Sequence, residues 1–327
     1  MARSVYITRV IPDSGPALLG EGGLSVKVNP HDRGLSRSEL LAAVAGRDAL
    51  LTMLNDAIDE QVLDAAGPSC RIVANYAVGF NNIDLAAATR RGILVTNTPG
   101  VLTEATADLT WALILAVARR IPEADAFLRT GRWDGWGPMQ FLGHDVHGAT
   151  LAIVGAGRIG NAVGLRSTGF RMRLLYVDRQ NNSELDRIGG KRVDLDTALR
   201  EADFLSLHVP LTPETQRLIG RPQIERMKPS ACIINTARGP IIDEQALVEA
   251  LRSRRIAGAG LDVYESEPRL TPGLIELNNV VCIPHLGSGT EATRSRMAEM
   301  AAVNILAALQ DREPPNLLNR EAWNAKK

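Results

Sequence analysis

Short apolar runs alternate with amphipathic stretches along most of the chain. In the first third, residues 5–10, 25–28, 49–53, 71–74 and 94–96 read as strands. Between them, residues 38–44, 59–65 and 85–91 place apolar side chains at helical spacing. This alternation predicts a small parallel sheet with helices on both faces. A second series follows, with strand-like runs at 151–154, 173–177, 204–209, 231–235, 257–261 and 280–283. Six such strands predict a doubly wound sheet of the Rossmann pattern. Residues 103–120 predict one long helix, with Thr103 as N-cap and Glu104 and Asp108 near its start. Its middle is apolar nearly all round, the pattern of a buried helix within a core or between domains or subunits. The tail reads as helical through 292–309 and then turns polar.

A chain of 327 residues is too long for one ordinary core and predicts two domains. The formal net charge is zero, without a basic run or stripe, which argues against nucleic-acid binding by bulk electrostatics. Cys70, Cys232 and Cys282 are scattered and lack metal-ligand spacing, so they read as buried thiols of a reducing cytoplasm. Met1-Ala-Arg-Ser leads straight into Val5-Tyr-Ile7, without the pattern of a signal peptide. The apolar run Trp111–Ala118 is too short to span a bilayer, so no membrane partner is expected.

The segment Thr150-Leu-Ala-Ile-Val-Gly155-Ala-Gly157-Arg158-Ile159-Gly160 carries the most chemistry. An apolar strand runs into G-x-G-x-x-G, and a helical pattern follows. Gly155 permits a tight turn, Gly157 lets backbone approach a pyrophosphate, and Gly160 lets helix pack on strand. The helix N-terminus offers free N–H groups to the phosphates. The next strand ends in Asp178, placed to accept hydrogen bonds from a ribose 2′-OH. That acid favours NAD(H). Arg179 beside it keeps NADP(H) as the alternative.

Ligands of open α/β sheets bind at the carboxyl ends of strands. Arg238 follows Ile233-Ile-Asn-Thr236-Ala237, Glu267 lies beyond Gly260-Leu-Asp262-Val-Tyr264, and His285 follows Val281-Cys-Ile-Pro284. Each alone is an ordinary loop residue. Together, on three successive strand ends of a dinucleotide fold, they suit hydride transfer to a ketone. A guanidinium binds a carboxylate through two parallel hydrogen bonds. A histidine beside a carboxylate can supply a proton.

The motifs Gly155-Ala-Gly-Arg-Ile-Gly160, Asn235-Thr-Ala-Arg-Gly239, Gly258-Ala-Gly-Leu-Asp-Val-Tyr-Glu-Ser-Glu-Pro268 and Pro284-His-Leu-Gly287 resemble, in order and spacing, those of the D-isomer-specific 2-hydroxyacid dehydrogenases. The resemblance runs almost end to end. It implies that Arg238 binds the substrate carboxylate and carbonyl, that His285 is the acid/base, and that Glu267 orients and charges it. It implies a flavodoxin-like substrate domain, 1–100 and 290–327, into which a Rossmann cofactor domain, 101–289, is inserted. It assigns the cofactor to Thr106, Gly155, Gly157, Arg158, Ile159, Gly160, Asp178, Arg179, Val209, Pro210, Thr215, Thr236, Ala237, Asp262 and Gly287. The loop Asn75-Tyr-Ala-Val78-Gly79 matches the family's carboxylate-binding turn, in which the Val78 and Gly79 amides bind. Leu54 matches an apolar wall near the substrate, and a buried packing role fits it equally.

Residues 131–139 with 142–146 resemble the corresponding segment of glyoxylate/hydroxypyruvate reductases, in which a Trp reaches the partner subunit's site. Trp136 is the candidate here, and Trp133 and Trp136 also read as plain interface or core aromatics. The implied activity is NAD(P)H-dependent reduction of a small 2-oxo acid, glyoxylate or hydroxypyruvate, to the D-2-hydroxy acid by a cytoplasmic homodimer. Phosphoglycerate or D-lactate dehydrogenation is the nearest alternative. An NAD-sensing corepressor is a more distant one, disfavoured by the neutral, compact chain.

Overall fold

A computed structural model describes residues 2–325. The chain divides into two compact units, Met1–Leu102 with Ser288–Lys327, and Thr103–Gly287. The first unit holds five parallel strands: β1 (Ser4–Ile7), β2 (Ser25–Val28), β3 (Ala49–Thr52), β4 (Ile72–Asn75) and β5 (Leu94–Thr96). Their spatial order is β2-β1-β3-β4-β5, the flavodoxin-like order. Alternate residues serve opposite faces, as a period of two requires. Val5, Ile7, Leu51 and Ala74 pack with Ala298, Ala301 and Ile305 of the Glu291–Leu309 helix. Tyr6, Leu50, Val73 and Val95 pack on the other side with Leu40, Val44, Val62 and Leu63.

The second unit holds seven parallel strands: β6 (Thr150–Val154), β7 (Arg173–Val177), β8 (Lys191–Arg192), β9 (Phe204–Leu207), β10 (Cys232–Asn235), β11 (Gly258–Leu261) and β12 (Val280–Cys282). Their order is β12-β11-β10-β9-β6-β7-β8, a Rossmann sheet with one strand added at its far edge. β6, β9, β10 and β11 are buried along their whole length, which is why they read as continuous apolar runs. The Thr103–Ala118 helix covers one face. Ala107, Trp111, Leu113 and Ile114 pack there with Leu151, Ile153, Phe204 and Ile234. Trp111 stacks on Phe170 at 4.7 Å and donates its Nε1–H to Val163 O.

Several sequence expectations need correction. The Rossmann sheet has seven strands, not six: β8 is two charged, exposed residues with no apolar signature. The first strand stops at Ile7 rather than running to residue 10. The long helix ends at Ala118, because Arg120 takes φ 53° and a new helix starts at Ile121 with Pro122 in its first turn. Thr103 is the first helical residue, not the cap. The helix Ser14–Glu21 has no counterpart in the sequence reading. Its Gly15 lets it lie so close to the tail helix that a Cβ there would stand 2.9 Å from Ala298 O. Cys70 and Cys232 are buried, whereas Cys282 is only half-buried.

Candidate active site

The strand order of the second unit reverses between β6 and β9, and the glycine loop sits at that switch point. Gly155 has φ 96°, a conformation costly for other residues. A Cβ on it would lie 2.8 Å from the backbone of His208 and Val209, which follow β9. A Cβ on Gly160 would lie 2.0 Å from Gly155 O, so only glycine lets the Arg158–Arg166 helix start this close to β6. Gly157 differs: a Cβ there meets nothing within 4 Å. It caps the helix without a side-chain hydrogen bond, leaving the first-turn N–H groups available to an anion. Arg158 is exposed and Ile159 half-buried.

Asp178 lies just past β7. Its Oδ2 accepts the Ala156 N–H at 2.8 Å and its Oδ1 the Gln180 N–H at 3.3 Å. Asn182 Nδ2 donates to Ala156 O at 3.0 Å, so glycine loop and acid are tied together. Arg179 is exposed. Past β9, Thr215 Oγ1 donates to Pro210 O at 2.6 Å and accepts the Thr212 N–H at 2.8 Å, closing the loop after Val209-Pro210. His208 Nε2 meets Ser206 Oγ at 2.8 Å. The protein around the imidazole pushes its pKa down to about 3, so it is neutral near pH 7. Open space at Gly157, an uncapped helix start and a carboxylate at the next strand end fit a dinucleotide.

Arg238, Glu267 and His285 follow β10, β11 and β12, three neighbouring strands. Asn235 shapes the first of these turns: its Oδ1 accepts the Ala237 N–H at 3.0 Å and its Nδ2 donates to Arg238 O at 2.9 Å. Gly239 then passes so near the next turn that a Cβ would lie 1.9 Å from Tyr264 C. The Arg238 guanidinium donates to Ala237 O at 2.6 Å. Burial lowers its pKa, and the charge of Glu267 opposes that shift.

Glu267 holds two partners. Its Oε1 accepts the Tyr264 N–H at 3.0 Å, and its Oε2 lies 2.9 Å from His285 Nδ1. Burial pushes the carboxyl up, but the His285 hydrogen bond and charge, the Tyr264 amide and Arg238 outweigh it and hold the pKa below the ordinary value. With Nδ1 turned to Glu267, Nε2 is the ring nitrogen left for chemistry.

His285 has φ 52°, in the left-handed region. Such a conformation costs a non-glycine residue about 1–3 kcal/mol and persists only where the surroundings over-determine it. The His285 N–H donates to Asp262 O at 3.0 Å, and the Leu286 and Gly287 N–H groups donate to Asp262 Oδ1 and Oδ2 at 2.5 and 2.8 Å. Thr106 Oγ1 donates to Gly287 O at 3.0 Å. Burial raises the Asp262 pKa, against the pull of the Leu286 amide, the His285 charge and the Gly287 amide. Thr110 Oγ1 donates to Thr106 O at 2.8 Å and meets Thr236 Oγ1 at 3.0 Å. Asp262, Thr106 and Thr236, read from the sequence as cofactor residues, thus all have partners inside the protein. Sequence reasoning missed Asn235 and Thr110. An Asn as the last residue of an apolar strand, directly before Thr-Ala-Arg, is the signal for the first.

In the other unit, Val78 and Gly79 follow β4. Asn97 Nδ2 donates to Val78 O and Asn75 Nδ2 to Gly79 O, both at 2.8 Å. Among the described residues, neither the Val78 nor the Gly79 N–H has an intramolecular acceptor. Two such amides in sequence suit a carboxylate. Leu54, after β3, is 36% exposed and is no core residue. Trp133 and Trp136 are 53% and 83% exposed, which removes the reading of either as a core aromatic. A cavity of about 430 Å³ lies at the N-terminal ends of β10–β12, beside Val117, Cys232 and Val280, away from the carboxyl ends that carry this chemistry. Among the described residues no group of three or more His, Cys, Asp or Glu could hold a metal ion. No helix among them is long and apolar enough to cross a membrane.

Residues 111–287 match the family described as D-isomer specific 2-hydroxyacid dehydrogenase, NAD binding domain. The glyoxylate reductase of Thermococcus kodakarensis is 50% identical over 332 aligned residues, covering 100% of this chain and 99% of the relative. A Thermus thermophilus protein of known crystal structure superposes with a TM-score of 0.91 at 48% identity, covering 96% of this chain and 99% of the other. The NADPH-dependent glyoxylate/hydroxypyruvate reductase of Sinorhizobium meliloti, solved with NADP and malonate, gives a TM-score of 0.85 at 30% identity and covers 98% of each chain.

Proposed function

The chain belongs to the D-isomer specific 2-hydroxyacid dehydrogenase family, and from that premise we propose that it reduces glyoxylate, with hydroxypyruvate as a second substrate, to the 2-hydroxy acid. It is a nicotinamide-dependent oxidoreductase. The 2.9 Å pair of His285 Nδ1 and Glu267 Oε2, one strand from Arg238, carries the reading.

The cofactor, when bound at the glycine loop, supplies the hydride. Arg238 binds the carboxylate of the 2-oxo acid and polarises its carbonyl. Protonated His285 gives its Nε2 proton to the carbonyl oxygen as alkoxide charge develops. Glu267 stays ionised and stabilises the imidazolium through Nδ1. In the other unit, the same reading gives the Val78 and Gly79 amides to a carboxylate and Leu54 to an apolar substrate wall.

The cofactor in this reading is NADH. Asp178 accepts a ribose 2′-OH and repels a 2′-phosphate, although Arg179 offsets part of that repulsion. The assembly in this reading is a homodimer: Ile121, Leu128, Trp133, Trp136, Met139 and Leu142 are exposed apolar side chains within one stretch of chain, which supports a contact surface there. The same stretch carries Trp136, read as reaching the partner's substrate. Cys70, Cys232 and Cys282 are thiols rather than disulfides, which supports a cytoplasmic setting.

Initial rates on a panel of 2-oxo acids with NADH and NADPH test the proposal. Glyoxylate and hydroxypyruvate should give the highest kcat/KM. Preference for a bulkier acid, or no turnover despite intact cofactor binding, would overturn it.

A further inference from the structure

Three consecutive backbone amides end on one residue. The N–H groups of His285, Leu286 and Gly287 donate to O, Oδ1 and Oδ2 of Asp262, at 3.0, 2.5 and 2.8 Å, the His285 N–H being shared with Ile283 O at 3.1 Å. From the other side of the same turn, Thr106 Oγ1 donates to Gly287 O at 3.0 Å. The fit leaves no slack: a Cβ on Gly287 would stand 3.2 Å from Asp262 Oδ2 and 3.4 Å from Thr106 Oγ1. Asp262 is 1% exposed, so its carboxylate has exchanged water for these amides.

The turn held this way contains His285 at φ 52°. That angle sets the direction in which Cβ leaves the chain, and so where the imidazole stands against Glu267. We infer that Asp262 is a positioning residue, clamping turn 285–287 so that His285 keeps the left-handed conformation that presents it to Glu267 and to the substrate carbonyl. This rests on the reading of His285 as proton donor. It differs from a cofactor-contact role for Asp262 in one respect: once the imidazole is gone, the clamp has nothing left to position.

A double-mutant cycle separates the two. Wild type, Asp262→Asn, His285→Ala and the double variant are compared by single-turnover glyoxylate reduction, with NADH affinity followed by fluorescence. The amide keeps the shape of the side chain but sets an NH₂ against one of the turn's N–H groups. In the wild-type background the single-turnover rate should fall about 10²-fold, the scale of a misplaced catalytic group. In the His285→Ala background the further loss should stay under about threefold, with the NADH dissociation constant also changed less than about threefold.

Equal losses in both backgrounds would overturn the proposal, as would a loss of NADH affinity that matches the fall in single-turnover rate. Wild-type rates from His285→Ala alone would instead bring down the reading of His285, and the clamp with it. If Asp262→Asn fails to fold, Thr106→Val removes the opposite tether while keeping the branched shape. The same non-additive pattern with His285→Ala is expected, and an additive loss overturns the proposal.

Discussion

His285 Nδ1 and Glu267 Oε2 stand 2.9 Å apart, although the two residues close different strands of the sheet. The pair divides the ring between two roles, with Nδ1 holding the carboxylate and Nε2 holding the transferable proton. His285→Ala should lower kcat for glyoxylate reduction by about 10²–10⁴-fold, the usual share of general acid catalysis. Single-turnover stopped-flow measurement of NADH oxidation checks this. A rate near that of wild type at neutral pH would remove the basis for the assignment.

Arg238 is asked to act on both ground and transition states. Arg238→Ala should therefore raise KM for glyoxylate as well as lower kcat. Arg238→Lys should recover little of either, because a point charge cannot bind a carboxylate through two parallel hydrogen bonds. Steady-state kinetics decide it. An unchanged KM in the alanine variant would assign the carboxylate elsewhere.

Asp178 governs the proposed choice of cofactor. Asp178→Ser should reduce the ratio of kcat/KM with NADH to that with NADPH, since the charge that repels a 2′-phosphate is gone. Some loss with NADH is also expected, because the Asp178 carboxylate holds the Ala156 amide of the glycine loop. A wild type that already prefers NADPH would show that Arg179, not Asp178, dominates the edge.

Acid stability should report on His208. Its pKa in the fold is about 3, below the ordinary histidine value of 6.5. As pH falls below 6.5 the unfolded chain takes up a proton that the fold refuses, so stability declines until pH reaches about 3. Glu267 is also depressed, so its stabilising effect is complete above its ordinary value of 4.5 and is lost as pH falls through its lower folded value. Between pH 6.5 and 4.5 the His208 effect is thus separate from that of Glu267. Urea midpoints at pH 7 and pH 5 should draw closer together in His208→Gln than in wild type. An equal drop in both would assign the acid sensitivity to other groups.

The inner strands of both sheets are legible in the sequence because parallel, doubly covered strands leave uninterrupted apolar runs; the edge strands β2 and β8 lack that cover. The glycine loop is legible because Gly155 and Gly160 stand where any Cβ would collide with backbone. Arg238, Glu267 and His285 stand out as candidates by their places just past strands. What holds them is not legible. Nothing local ties Asp262 to residues 285–287, and only the pairing of β11 with β12 brings them together. Asn235 bonds within its own turn, and its one signal is local, an Asn closing an apolar strand, rather than periodic. β8 has no apolar residue, and the helix break at Arg120 is a backbone event inside a pattern that otherwise reads on.

The first unit is closed by residues from the far end of the chain, and this sets an order of events during synthesis. Val5, Ile7, Leu19 and Leu51 emerge early, but Ala298, Ala301 and Ile305, which cover them, come last. The stretch between, Thr103–Gly287, is contiguous and holds its own core, so it can fold while the ribosome is still working. The sheet of the first unit must therefore wait, with one apolar face covered only in part by the Ser14–Glu21 helix, until residues 291–309 follow. A pause or truncation before residue 291 exposes that face to chaperones and proteases while leaving the dinucleotide-binding fold in place.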